Sequence, residues 1–209
     1  LYPEMCLSSY ALDDLHVQAA LLEAVEVGIE TVRAASEELT PVLVIGAPLR
    51  RNGRIYNCAV VIAQGEILGA VPKSYLPNYR EFYEKRWFAR GNKCRNLWIG
   101  VNGEEVPFGV DLIFAASNLP GFTFGIEICE DFWSPNPPGT LAALAGATIL
   151  LNLSASNITI GKAETRQPAF TSGHALQDRT VFRVHRHDFT TAQARRRRHE
   201  VARHDQRLL

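Results

Sequence analysis

The feature that most constrains this chain is a set of apolar runs with almost no polar alternation. Residues 41–46 (PVLVIG), 55–63 (IYNCAVVIA) and 147–154 (ATILLNLS) are short, rich in aliphatic side chains and flanked by turn residues. A strand with one face in water alternates polar and apolar side chains, whereas a continuous apolar run needs cover on both faces. Residues 12–38 provide one cover. Leu15, Leu22, Val25, Ile29 and Val32 recur at helical spacing, Asp13 or Asp14 stands at the cap position, and Pro41 ends the segment. Residues 50–53 read as a turn, and Gln64-Gly65 as a hairpin turn after which residues 66–71 pair back on 55–63. Residues 74–96 form a long polar and aromatic loop with some helix. Strands follow at 110–115 and 122–129, then a short helix at 140–146 introduced by Pro137-Pro138-Gly139. Buried strands alternating with helices make an α/β domain.

Length allows one domain and little more. The formal net charge is zero, so bulk charge points to no nucleic-acid or membrane partner. That balance hides an asymmetry: residues 183–209 hold eight arginines against Asp188, Glu200 and Asp205. Lacking an aromatic platform, this segment reads as a divergent basic tail, disordered or artefactual, rather than a nucleic-acid site. Cys6, Cys58, Cys94 and Cys129 show neither a CxxC pair nor metal-ligand spacing, so no metal site or disulfide framework is expected and a cytoplasmic location fits best. The longest apolar stretch, 141–151, is too short to span a bilayer. The start at Leu1 reads as a truncation.

Three residues could carry chemistry. In the strand expected at 122–129, Phe124, Ile126 and Ile128 share one face, Glu127 and Cys129 the other. Cys129 ends the apolar run just before Glu130-Asp131, a place from which an α/β enzyme can present a nucleophile. Glu127, Glu130 and Asp131 would disfavour a thiolate, so a reactive Cys129 needs a cation or base nearby. Read alone, it is more commonly a buried, inert thiol. Lys73 follows an apolar strand and Pro72. It is a candidate cation, and alone reads as a solvated lysine. Glu4, after Pro3, reads alone as a loop carboxylate.

Taken together and in order, Tyr2-Pro3-Glu4, Lys73-Ser-Tyr-Leu76-Pro77 and Ile128-Cys129-Glu130-Asp131 resemble the motifs of the nitrilase superfamily of carbon–nitrogen hydrolases, which use a Glu-Lys-Cys triad. Residues 73–86 (KSYLPNYREFYEKR), with Val44-Ile-Gly-Ala-Pro48, Ile55-Tyr-Asn57 and Leu151-Asn-Leu-Ser-Ala-Ser156, look like the amidase domain of glutamine-dependent NAD⁺ synthetases. The likeness covers about residues 1–166. It implies an α-β-β-α sandwich, truncated at both ends, over residues 1–170, with the divergent tail at 171–209. A domain lacking its outer strands would expose sheet edges and be marginally stable.

The resemblance further implies hydrolysis of the glutamine side-chain amide through a Cys129 thioester, with Glu4 as general base and Lys73 as oxyanion donor. Glu84 matches a second, supporting glutamate. Tyr79, Glu130 and Ser156 fall where the family recognises glutamine. L-glutamine is the implied substrate. The implied partners are a synthetase domain and further copies in an oligomer. ATP and magnesium belong to that synthetase domain, since this chain carries neither a P-loop nor a dinucleotide fingerprint. Two alternatives stay open: a stand-alone amidase acting on another small amide, and a non-catalytic remnant that kept the motifs.

Overall fold

A computed structural model describes residues 1–156 and, as backbone, the strand Ala192–Arg195. The boundary at 170 and the rest of the arginine-rich segment lie outside the described residues. Twelve residues at the start precede a short 3₁₀ helix (Asp13–Val17) and helix α1 (Ala19–Ala35). Strands β1 (Leu43–Arg51), β2 (Arg54–Ala63) and β3 (Glu66–Pro72) form a meander. Helix α2 is one turn (Glu84–Trp87). Strands β4 (Leu97–Val101) and β5 (Glu104–Phe108) complete a five-stranded sheet of order β1-β2-β3-β5-β4. Then come β6 (Ile113–Ala116), β7 (Thr123–Ile128), a 3₁₀ turn (Cys129–Trp133), α3 (Pro138–Leu144) and β8 (Ile149–Leu153). With β9 (Ala192–Arg195) they make a second sheet of order β8-β7-β6-β9.

The apolar runs explain the layering. Along β1 and β2, Ile45, Ala47, Cys58, Val60 and Ile62 pack with Val25 and Ile29 of α1. Their alternates Val44, Ala59 and Val61 pack with Phe114, Phe124, Ile126 and Ile128 of the second sheet. α3 lies against β7, where Gly125 abuts Ala142. The result is helix, sheet, sheet, helix, the sandwich that the resemblance implies. Among the described residues no helix is long and apolar enough to cross a membrane.

Two expectations need correction. The helix expected over 12–38 is broken at Gln18, which is extended, and Leu15 is exposed. Neither Asp13 nor Asp14 caps a helix. Asp14 instead accepts bonds from the Arg86 guanidinium (2.6 and 2.8 Å) and the Trp87 indole N–H (2.9 Å), and the 3₁₀ turn sinks His16 against Trp87 and Phe88. The β4–β5 hairpin was not expected. Its Asn102-Gly103 turn has both residues at positive φ, like Asn52-Gly53 and Gln64-Gly65.

Gly46 and Gly28 differ in what surrounds them. A Cβ on Gly46 would strike the Met5 amide nitrogen and come within 2.6 Å of the Pro3 carbonyl, whereas one on Gly28 within α1 would meet only Leu7 at 3.7 Å. Gly28→Ala should therefore raise stability by about 0.5–1 kcal/mol through helix entropy. Gly46→Ala should lower it by about 1–3 kcal/mol through overpacking. Urea unfolding measures both, and equal effects would contradict the packing described.

Candidate active site

Three separate segments meet between the sheets. The first is the N-terminal segment, pressed onto Gly46 as it leaves Pro3, with Met5 at positive φ. This brings the Glu4 carboxylate inside, 2 % exposed. The second is the end of β3, where Lys73 N–H donates to the Asn57 carbonyl (2.8 Å) and the Lys73 carbonyl accepts from Gly91 (2.7 Å). The third is the end of β7. The strand stops at Ile128, and Cys129 takes φ of 47°, a left-handed conformation uncommon for a residue with a Cβ. Cys129 therefore opens the 3₁₀ turn and does not continue the strand as the alternation pattern suggests.

Lys73 Nζ donates to Glu4 Oε1 at 2.7 Å and to Glu84 Oε1 at 2.6 Å, with all three side chains fully buried. An ammonium has three N–H bonds, so one remains uncommitted by these two carboxylates. Glu4 Oε1 also accepts from Asn57 Nδ2 (2.8 Å), while Oε2 accepts from the Ala155 N–H (3.0 Å). Glu84 Oε1 accepts from the Tyr10 hydroxyl (2.5 Å), and its Oε2 has no hydrogen-bond partner among the described residues. Ser154 Oγ lies 3.4 Å from Cys129 Sγ and donates to it.

The electrostatics follow. Burial alone would lower the Lys73 pKa, but Glu4 and Glu84 raise it overall and hold the ammonium charged. Burial pushes the Glu84 carboxyl up to about 7 despite Lys73. Burial, reinforced by Glu4 and only partly offset by Lys73, pushes the Cys129 thiol up to about 11. The acids acting on Cys129 are thus Glu4 and Glu84, not the sequence neighbours expected to do so. Glu127 turns to the Gly139 N–H (3.0 Å) and the Asn152 amide (3.3 Å), and Glu130 accepts from the Tyr79 hydroxyl (3.0 Å).

Asp131 has a different task, which residue type alone did not reveal. Its buried carboxylate accepts from the N–H groups of Ser74 (3.0 Å), Tyr75 (2.8 Å) and Ile128 (3.0 Å). One side chain thereby ties the residues just after Lys73 to the residue just before Cys129. Burial still lifts its pKa to about 7. Asn57, Tyr10, Ser154 and Ala155 are likewise site residues that were not singled out, although Asn57, Ser154 and Ala155 lie inside the quoted motifs.

Tyr79 and Glu130 border a cavity of about 270 Å³ at the rim, which Tyr75, Lys85, Arg90 and Trp133 also line. Ser156 is half-buried on the segment leaving β8, two residues past Ser154. Among the described residues no group of His, Cys, Asp and Glu side chains is arranged to hold a metal ion.

A profile of the carbon-nitrogen hydrolase family matches residues 1–178. The chain is 56% identical over 167 residues to the glutamine-dependent NAD(+) synthetase of Mycobacterium tuberculosis, covering 80% of this chain and 24% of that protein. It is 32% identical over 161 residues to the same-named protein of Aquifex aeolicus, covering 77% of this chain and 25% of the relative. The chain thus spans about a quarter of the curated relatives it matches. The crystal structure of a glutamine-dependent NAD(+) synthetase from Cytophaga hutchinsonii superposes with a TM-score of 0.67 at 30% identity, over 82% of this chain and 27% of that one.

Two outcomes follow from the geometry. With its thiol near 11, Cys129 should be alkylated by iodoacetamide at a rate that climbs steadily from pH 7 to 9, because the thiolate fraction climbs; a plateau below pH 8 would contradict the raised pKa. Asp131→Asn should place an amide N–H₂ against backbone donors. It should cost about 1–3 kcal/mol of stability in urea unfolding, and no loss would contradict the clasp.

Proposed function

Because the chain belongs to the carbon–nitrogen hydrolase family, we propose that it is a glutamine amidohydrolase working through a cysteine thioester. The observation that carries this reading is a buried lysine held by two buried carboxylates next to a thiol that those same groups influence. A thiol near 11 does not ionise by itself at neutral pH, so attack requires a base. Glu4 supplies it. Its Oε2 accepts from the Ala155 N–H and, as a carboxylate oxygen, retains acceptor capacity.

In the proposed reaction Cys129 Sγ adds to the side-chain amide carbon while its proton passes to Glu4. The oxyanion meets the third N–H of Lys73, a donor of a kind worth about 10²–10³ in rate. As the C–N bond breaks, Glu4 returns the proton to nitrogen and ammonia leaves. Glu4 then takes a proton from water, which adds to the thioester. The C–S bond breaks, glutamate is released and the thiol regains its proton. Glu84 fixes Lys73 from the far side, and Tyr10 fixes Glu84.

Glu130 pairs with the substrate's α-ammonium, while Tyr79 and Ser156 position its α-groups. The names of the relatives support glutamine as substrate and a synthetase domain as partner. In that setting the ammonia serves the ATP-dependent amidation of nicotinic acid adenine dinucleotide, in an oligomer of the whole enzyme.

Incubation with a diazo-ketone analogue of glutamine, followed by mass spectrometry, tests the reading. The expected result is a single adduct on Cys129, prevented by excess glutamine, absent from Cys129→Ala and slowed about 10²–10⁴-fold in Glu4→Gln. A folded chain that forms no adduct, or one labelled at the exposed Cys6 instead, would overturn it.

A further inference from the structure

A sizeable cavity lies away from the Glu4, Lys73 and Cys129 cluster. It measures about 630 Å³, a size that suits a nucleotide-sized ligand, and lies on the outer side of the segment that carries Glu84. One wall is the tip of the β1–β2 hairpin, which supplies Arg50 and Arg54. The opposite wall is the stretch from Lys85 to Arg90, tied to the hairpin by the Ala89 N–H bond to the Ile55 carbonyl (2.8 Å). No acidic side chain among the described residues lines it.

Of its five cations, Arg86 is neutralised by Asp14. Arg50, Arg54, Lys85 and Arg90 are all exposed and form no ion pair among the described residues. Four like charges converging on one concavity repel one another, and a bound anion relieves that repulsion. The remaining lining is apolar, with Val17 and the half-buried Trp87 beside the cations. A cavity half cationic and half apolar or aromatic matches a ligand with both characters. Inorganic anions would use only the first half. An acidic peptide would meet the cations but would leave the Trp87 side of the lining unused.

We propose that this cavity binds an organic phosphate of two or more charges, such as a nucleoside diphosphate, with its phosphates on Arg50, Arg54, Lys85 and Arg90 and its ring system against Trp87. The site shares no residue with the Glu4, Lys73 and Cys129 cluster, although Lys85 and Arg90 also line the rim cavity beside Tyr79 and Glu130; its test reads ligand binding and not amide hydrolysis.

Isothermal titration calorimetry of the full chain with guanosine 5′-diphosphate, inorganic pyrophosphate and guanosine tests it. The diphosphate should bind with a stoichiometry of one and weaken by about tenfold or more as salt rises from about 0.05 to 0.5 M. Arg50→Glu combined with Arg90→Glu should weaken it by about tenfold or more, while Arg95→Glu, outside the cavity, should change it less than about twofold. Trp87→Ala should weaken the diphosphate but not pyrophosphate. Circular dichroism verifies that each variant is folded. Failure of the folded chain to bind the diphosphate, or binding indifferent to the Arg50 and Arg90 reversals, would overturn the site. Equal affinity for pyrophosphate would overturn the aromatic part of the assignment. Displacement of the diphosphate by a poly-glutamate peptide of higher affinity would replace the small ligand with an acidic protein segment.

Discussion

Everything at the centre of this fold is arranged around one buried ammonium. Lys73 has no exposed side-chain surface, and neither do Glu4 and Glu84, which flank it at 2.7 and 2.6 Å. Taking three charges out of water costs more than their attraction reliably returns, so such a cluster is poor evidence for stability. Its effect is instead one of register. Glu4 comes from the start of the chain, Lys73 from the end of β3 and Glu84 from α2, and the ammonium can satisfy both carboxylates only if all three segments hold their places. The backbone contacts agree. Gly46 leaves room for Pro3 and Met5, Gly91 binds the Lys73 carbonyl, and Ala155 N–H reaches Glu4 from beyond β8.

The same cluster decides what kind of thiol Cys129 is. A cysteine beside a lysine is commonly expected to be a thiolate, because the cation favours the anion. Here two carboxylates outnumber one ammonium, and burial acts in the same direction as the carboxylates, so the thiol stays protonated near neutrality. Glu84 softens that imbalance. Burial lifts its carboxyl to about 7 against the opposing pull of Lys73, so it bears less of the negative charge than a solvated carboxylate would. The Tyr10 hydroxyl at 2.5 Å and the partnerless Oε2 show Glu84 donor-rich on one oxygen and bare on the other.

Much of this was legible in the sequence, and for identifiable reasons. The uninterrupted runs at 41–46 and 55–63 announced strands covered on both faces, and the parity of Ile45 and Val60 against Val44 and Val61 shows that cover. Glu4, Lys73, Glu84 and Cys129, which the fold brings together, were singled out by their motifs and chain order, not by residue type. The β4–β5 hairpin was missed although Asn102-Gly103 is a strong turn signal, because the charged pair Glu104-Glu105 masked the strand pattern. The helix over 12–38 was overextended because Leu15 fits the period, yet Asp14 is drawn to Arg86 and Trp87, residues more than seventy positions away. No local pattern contains that pull.

Asp131 shows the same limit more sharply. In sequence it is an acid two residues after Cys129, and its charge predicts opposition to a thiolate. In the fold its carboxylate is consumed by the N–H groups of Ser74, Tyr75 and Ile128, so its charge is directed at backbone donors and not at sulfur. Cys129 depends on that arrangement. A residue with a Cβ at φ of 47° persists only where its surroundings over-determine it, since the conformation costs about 1–3 kcal/mol. Asp131 supplies the constraint from both sides, capping the turn at Ile128 and binding it to the loop after Lys73. Asp131, two residues past Cys129, therefore sets the position of the thiol, and the acids remote in sequence raise its pKa.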